Sequence, residues 1–239
     1  MTDIIRCENV GHTYGTGPRA VMAVHGVSCV VPRDARIALT GPSGSGKSTL
    51  LHMMAGLERV TTGELTWPSL EGHPNGKPGT FGVIFQGPSL IPTLNVVENV
   101  ALPLVLEGVS DFAARLLARD ALAELDLDWM SQKLPDELSG GQAQRVAIAR
   151  VLCTHPLLIL ADEPTGQLDH ETGHHVVDVL MHAADRLGAA LLVSTHDPAI
   201  ARRLGTQWQM HDGSLSMSVN RAPQPAPATE SRQTNGKRL

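Results

Sequence analysis

The sequence predicts an α/β fold in which a mostly parallel sheet carries helices on its faces. Three observations predict it. Short apolar runs alternate with segments of helical period, a glycine-rich turn joins one such run to a helix, and a second run ends in two adjacent carboxylates.

Taken in order, residues 4–10 and 26–31 are short β-rich runs bounded by glycine, proline and polar residues. Residues 35–40 read as a buried strand leading into the glycine-rich turn, and 47–57 have helical apolar spacing. The stretch 61–79 is rich in Gly, Pro and Thr, with a strand fragment at Glu64-Leu65-Thr66-Trp67, and 82–85 is another strand. Residues 96–106 form the most apolar long stretch, but it is too short to span a bilayer and carries Glu98 and Asn99. Residues 111–127 read as an amphipathic helix with Phe112, Leu116, Leu117, Ala121, Leu122 and Leu125 on one side, and 140–152 as a second helix. Residues 157–161 and 190–194 are continuous apolar runs of the kind buried in parallel sheets, with a helix over 172–187 between them. One folded domain is expected over 3–216. Beyond it, residues 217–239 carry a Pro/Ala-rich run without apolar anchors and are expected to be disordered.

The bulk properties narrow the function classes. A chain of 239 residues with 42% hydrophobic and 18% charged residues can bury a sizeable core. A net charge of −5 and 3% aromatic residues argue against nucleic acid as the main partner. Cys7, Cys29 and Cys153 are odd in number and show no C-x-x-C spacing, so buried reduced thiols are expected rather than disulfides or a zinc site. The first six residues lack a basic stretch followed by an apolar one, and no signal peptide is expected there. His174 and His175, within the 172–187 helix, are expected to face solvent rather than bind metal. The basic residues of the tail are too sparse for a membrane anchor.

Gly41-Pro42-Ser43-Gly44-Ser45-Gly46-Lys47-Ser48 matches the phosphate-binding pattern G-x-x-x-x-G-K-[ST], between a strand and a helix as that pattern requires. Glycines let backbone N–H groups curl around phosphate oxygens, and the helix aims its positive end at the same point. Lys47 is expected to reach the β- and γ-phosphates, and Ser48 to ligate Mg²⁺; Thr49 completes the ATP-binding stretch. Asp162 and Glu163 end a buried strand, where ligands of open α/β sheets gather. Asp162 can hold Mg²⁺ through its water shell, and Glu163 can polarise an attacking water. A capping acid pair at a strand–helix turn is the plainer alternative for these two.

Leu138-Ser139-Gly140-Gly141-Gln142, followed by a helix, offers a second anion-binding helix start, or simply an N-cap with a flexible entry. With Ala143-Gln144-Arg145 it resembles the signature motif of the ABC ATPase family, and the resemblance runs from about residue 4 to 216. It implies a phosphate-loop NTPase core with a mostly parallel sheet, an antiparallel β subdomain and a helical signature subdomain over about 88–155. It also implies that Tyr14 stacks on adenine, that Gln86 is the Q-loop glutamine contacting Mg²⁺ or the attacking water, and that His196 is the switch histidine reaching the γ-phosphate. Asp169 closes a D-loop-like Gly166-Gln167-Leu168-Asp169, in which Gln167 departs from the usual pattern.

The same resemblance implies a head-to-tail homodimer in which Leu138 to Gln142 of one copy cover the ATP held by the other. It further implies an integral membrane permease as partner, hence a cytoplasmic location on the inner face of the membrane. Residues 88–104 look like the branch serving lipoprotein release and macrolide-type export, with Leu90, Ile91 and Leu94 either seating the permease or packing the helical subdomain. The segment between Glu64 and Phe81 is shorter than that branch usually has. Small-solute importers therefore stay open as an alternative, as does a transmembrane signalling complex, whose ATPase would look similar, and a soluble non-transport ATPase is the remaining one.

Overall fold

The computed structural model describes residues 3–70, 72–74 and 79–219. Its centre is a six-stranded sheet in the order β5-β6-β7-β3-β8-β9. These strands are β3 (Arg36–Thr40), β5 (Phe81–Ile84), β6 (Leu158–Asp162), β7 (Ala190–Ser194), β8 (Thr206–His211) and β9 (Ser214–Val219). All pairings are parallel except β8 with β9. A separate antiparallel sheet, in the order β2-β1-β4, is made by β1 (Ile5–Tyr14), β2 (Val21–Val31) and β4 (Thr62–Thr66).

The central strands are buried on both faces, which explains why they read as unbroken apolar runs. Alternation then divides β6 between two cores. Leu158 and Leu160 join Leu192, Leu50 and Met53 under the antiparallel sheet, whereas Ile159 and Ala161 face Leu191, Val193 and the helices. Helix α1 (Lys47–Met54) lies on the first side. On the second are α2 (Val96–Leu106), α3 (Asp111–Ala123), α4 (Gly140–Leu152), α5 (His170–Leu187) and α6 (Pro198–Arg203).

Several elements differ from expectation. The stretch 96–106, read only as apolar, is helix α2, closed by a capping box in which Asn95 and Glu98 serve each other's backbone N–H groups. Helix α3 buries Ala114, Ala118, Ala121 and Leu122, leaving Phe112 76% and Leu116 51% exposed. The apolar side expected for that helix was therefore wrong at Phe112, Leu116 and Leu117. Small alanines let α3 approach α2 and α4 closely, and the large side chains are turned out. The β8–β9 hairpin was not expected at all. Its turn places Asp212 at φ 45° and Gly213 at φ 76°, the paired positive values of a type I′ connection. Strand β9 runs to Val219, three residues beyond the expected domain end, and the Pro-rich run expected to be disordered lies outside the described residues. Among the described residues, no helix is long and apolar enough to cross a membrane.

Candidate functional site

The loop from Gly41 to Gly46 leaves the carboxyl end of β3 and closes onto α1. Its glycines are demanded by space as well as conformation. Gly41 has φ 147°, and a Cβ there would lie 2.2 Å from the Met210 carbonyl oxygen; at Gly46, with φ 97°, a Cβ would lie 2.3 Å from that of Ala23. Lys47 opens α1 and is almost fully buried. Its ammonium donates to the carbonyls of Gly41 (2.9 Å) and Pro42 (3.1 Å) and lies 3.5 Å from Glu163 Oε1. Ser45 Oγ is buried with no hydrogen-bond partner among the described residues, as a loop waiting for an anion would have it.

The end of β6 supplies both acids, and the end of β7 supplies the serine that holds them. Ser194 Oγ donates to Asp162 Oδ1 at 2.6 Å and accepts from the Glu163 N–H at 2.8 Å. Glu163 itself sits at φ 44°, a costly conformation for a side chain of its size, and Ser194 holds it there. A cleft of ≈ 280 Å³ results, lined by Ser43, Gly44, Gly46, Lys47, Ser48, Thr49, Gln86, Asp162 and Glu163 with Ala23. The expected phosphate, cation and water-activating residues are thus brought together.

Two expected residues stand at its margins. Tyr14 ends β1, its hydroxyl 3.3 Å from Thr49 Oγ1 and its ring edge-on to His12. His196 is 70% exposed and lies beside Gly41 and Pro42, with Nδ1 3.5 Å from Glu163 Oε2.

The signature-like segment is elsewhere. Ser139 caps α4, its Oγ accepting from the Gln142 N–H (3.3 Å) while Gln142 Oε1 accepts from the Ser139 N–H (2.9 Å). The capping alternative is real, but it does not use the first-turn N–H groups of Gly140 and Gly141, which no α-helix satisfies internally. Ser139 to Gln142 line a second cleft with Arg145, Gln167, Leu168, Asp169 and Thr172. Asp169 caps α5 by accepting from the N–H (3.0 Å) and hydroxyl (2.7 Å) of Thr172, and these bonds hold its carboxyl below the usual range. Leu138 packs against the helical core. The two clefts share no lining residue.

Several positioning residues escaped the sequence reading. Ser194 is one. Gln144 is buried and donates to the Phe85 carbonyl (3.3 Å), tying α4 to the strand end before Gln86. Fully buried Asn99 accepts from the Ile91 N–H and donates to the carbonyls of Ile91, Leu94 and Asn95. Arg150 holds the carbonyls of Pro88 and Ser89, and its burial lowers its pKa. A buried polar residue in an apolar helix is the signal that Asn99 carried. One expectation needs correction: His174 does not face solvent but is half-buried beside His170 and Asp197.

Comparison with known proteins bears on the family and the fold. A profile described as "ABC transporter" matches residues 24–166. An uncharacterized ABC transporter ATP-binding protein of Mycobacterium tuberculosis is 37% identical over 228 residues, 92% of each chain. The lipoprotein-releasing system ATP-binding protein LolD of Bordetella avium is 37% identical over 218 residues, 88% of this chain and 95% of that one. Among solved structures, the ATP-binding cassette MJ0796, a dimer in a post-hydrolysis state bound to ADP and Pi, superimposes with a TM-score of 0.82 and 33% identity, covering 91% of this chain and 99% of that one. The chain therefore belongs to the ABC transporter family, as an ATP-binding subunit that hydrolyses ATP.

Proposed function

We propose that two copies of this chain assemble head to tail around ATP and drive a separate membrane permease of the lipoprotein-release or export-like branch. The observation that carries the reading is the separation of two incomplete sites on one chain. The Lys47 cleft has phosphate, cation and water-activating groups but no signature helix, and the Ser139 cleft has a helix start but no phosphate loop. Each completes the other only between copies. The dimeric state named for MJ0796 and the lipoprotein-releasing role named for LolD support the two halves of the proposal.

In this reading the Gly41–Gly46 backbone cradles the phosphates, and Lys47 exchanges the Gly41 and Pro42 carbonyls for phosphate oxygens. Ser48, Gln86 and Asp162 offer a hydroxyl, an amide and a carboxylate to one cleft, an all-oxygen set that suits Mg²⁺. When bound, that ion neutralises charge developing on the phosphates. Glu163 orients and deprotonates the attacking water, His196 contacts the γ-phosphate, and Tyr14 stacks on the base. Gly140 and Gly141 of the second copy direct their N–H groups at the same γ-phosphate, so closure becomes a condition of hydrolysis.

The apolar side chains that α3 turns outward, Phe112, Leu116 and Leu117, together with Ile91, supply a surface for the permease. The dimer is tested by sedimentation of the Glu163→Gln variant with saturating Mg-ATP. A nucleotide-dependent shift from one copy to two is expected; a strictly monomeric species, even with a permease present, would defeat the proposal.

A further inference from the structure

Beside the ATP cleft lies a group of side chains that the reaction above does not use. Asp169 starts α5, and His170 and His174 follow four residues apart, which sets them on one face with their rings stacked at a centroid distance of 4.3 Å. Across from them, Asp197 caps the start of α6 on the same side of the sheet. Its Oδ1 is engaged as the cap, accepting from the Ala199 N–H at 2.7 Å. Its Oδ2 is turned to the two rings, 3.8 Å from His170 Nε2 and 3.7 Å from His174 Nε2. The three atoms lie within 4.8 Å of one another. His174 Nε2 is buried and has no hydrogen-bond partner among the described residues, because 3.7 Å is too long for one. A cleft of ≈ 200 Å³ opens onto the group.

We propose that His170, His174 and Asp197 form a binding site for a zinc-class divalent cation, one that pins the loop carrying His196 to the start of α5. Two imidazoles and one carboxylate are a donor set such ions favour over Mg²⁺ or Ca²⁺. Zinc bonds of about 2.0–2.2 Å at tetrahedral angles bring neighbouring donors roughly 3.3–3.5 Å apart, a few tenths of an ångström inside the two distances to Asp197 Oδ2, while the two imidazole nitrogens lie within 4.8 Å of each other. Exposed His170 is free to rotate in and close the site, and water supplies a fourth ligand. The ion gives the orphaned His174 Nε2 a partner. Because Asp197 follows His196 directly, an ion held by its carboxylate restrains the loop that His196 occupies.

The test uses the full chain, stripped of metal and free of nucleotide, titrated with Zn²⁺ against a chromophoric chelator. One tight equivalent per chain is expected. The paired His170→Ala and His174→Ala substitution should weaken it at least about tenfold, as should Asp197→Asn, which keeps a capping side chain but not the charge. His175→Ala, an exposed neighbour, should leave it unchanged. Zinc should also slow amide hydrogen exchange over residues 195–201 in the wild type and not in the paired variant. Retention of the tight equivalent by the paired variant would overturn the site. Zinc bound through these residues with unchanged exchange over 195–201 would overturn the pinning.

Discussion

Glu163 sits at φ 44° because Ser194 binds its N–H, and the same hydroxyl fixes Asp162. The two acids at the end of β6 are thereby aimed by one small side chain from the adjacent strand β7. Glu163→Gln keeps that geometry but removes the proposed base, so turnover should fall by roughly 10²–10⁴ while ATP affinity, read by equilibrium binding, is retained. Wild-type turnover in that variant would deny Glu163 its role. Lys47→Ala should instead weaken ATP binding itself, since the buried cation proposed to face the phosphates is lost; unchanged affinity would count against that assignment. Ser194→Ala strands a buried carboxylate oxygen, with an expected stability loss of about 1–3 kcal/mol in denaturant unfolding. It should also lower turnover by about tenfold or more as the acids lose their aim. Ser194→Thr restores the hydroxyl and should recover turnover; if it is as slow as the alanine variant, Ser194 does not act through these two hydrogen bonds.

At the scale of elements, the central strands were legible because burial on both faces leaves few ways to write them, and the turn after β3 because its positive-φ glycines restrict the residue types. The helical subdomain was not, and the reasons are local. Helix α2 was passed over as an apolar run although Asn95 and Glu98 spell a capping box. In α3, the larger apolar residues drew the reading to the wrong face, since alanines that pack closely look unremarkable in a sequence. The hairpin of β8 and β9 carried an Asp212-Gly213 turn that was not weighed. Nor could a sequence show that His170 meets Asp197, because the partners belong to different helices. Asn99 binds α2 to the loop after Gln86 through three hydrogen bonds, two to Ile91 and one to Leu94, and bonds to the Asn95 cap with a fourth. Asn99→Leu should cost about 2–3 kcal/mol by thermal or denaturant unfolding, since backbone groups are left buried and unpaired. Nucleotide affinity should persist in the folded fraction. An unchanged midpoint would mean that water replaces the amide and that the loop is not braced by it. Ile91, on that loop and exposed, tests a different property. Ile91→Asp should spare ATP binding and block copurification with a permease, whereas intact assembly would remove the loop from the interface.

For the whole molecule, the division of chemistry between two clefts makes a prediction that no single-chain mechanism shares. Gly140 has open space where a Cβ would stand, so Gly140→Asp should fold, and an acid in the first turn of α4 even suits the helix dipole. Yet its charge would face the γ-phosphate of the other copy and should abolish hydrolysis. Lys47→Ala should abolish it from the opposite side. Mixed in equal amounts, the two inactive chains form some dimers in which one composite site is wild type on both sides, because the phosphate loop comes from the Gly140→Asp chain and the signature helix from the Lys47→Ala chain. Random pairing makes half of the dimers mixed, each with one of two sites whole, so recovery up to about a quarter of wild-type turnover is expected. A cleft that worked within its own chain could recover nothing on mixing. Turnover that stays at the level of the separate variants, while crosslinking shows that mixed dimers have formed, would place the signature helix outside the site of the other copy.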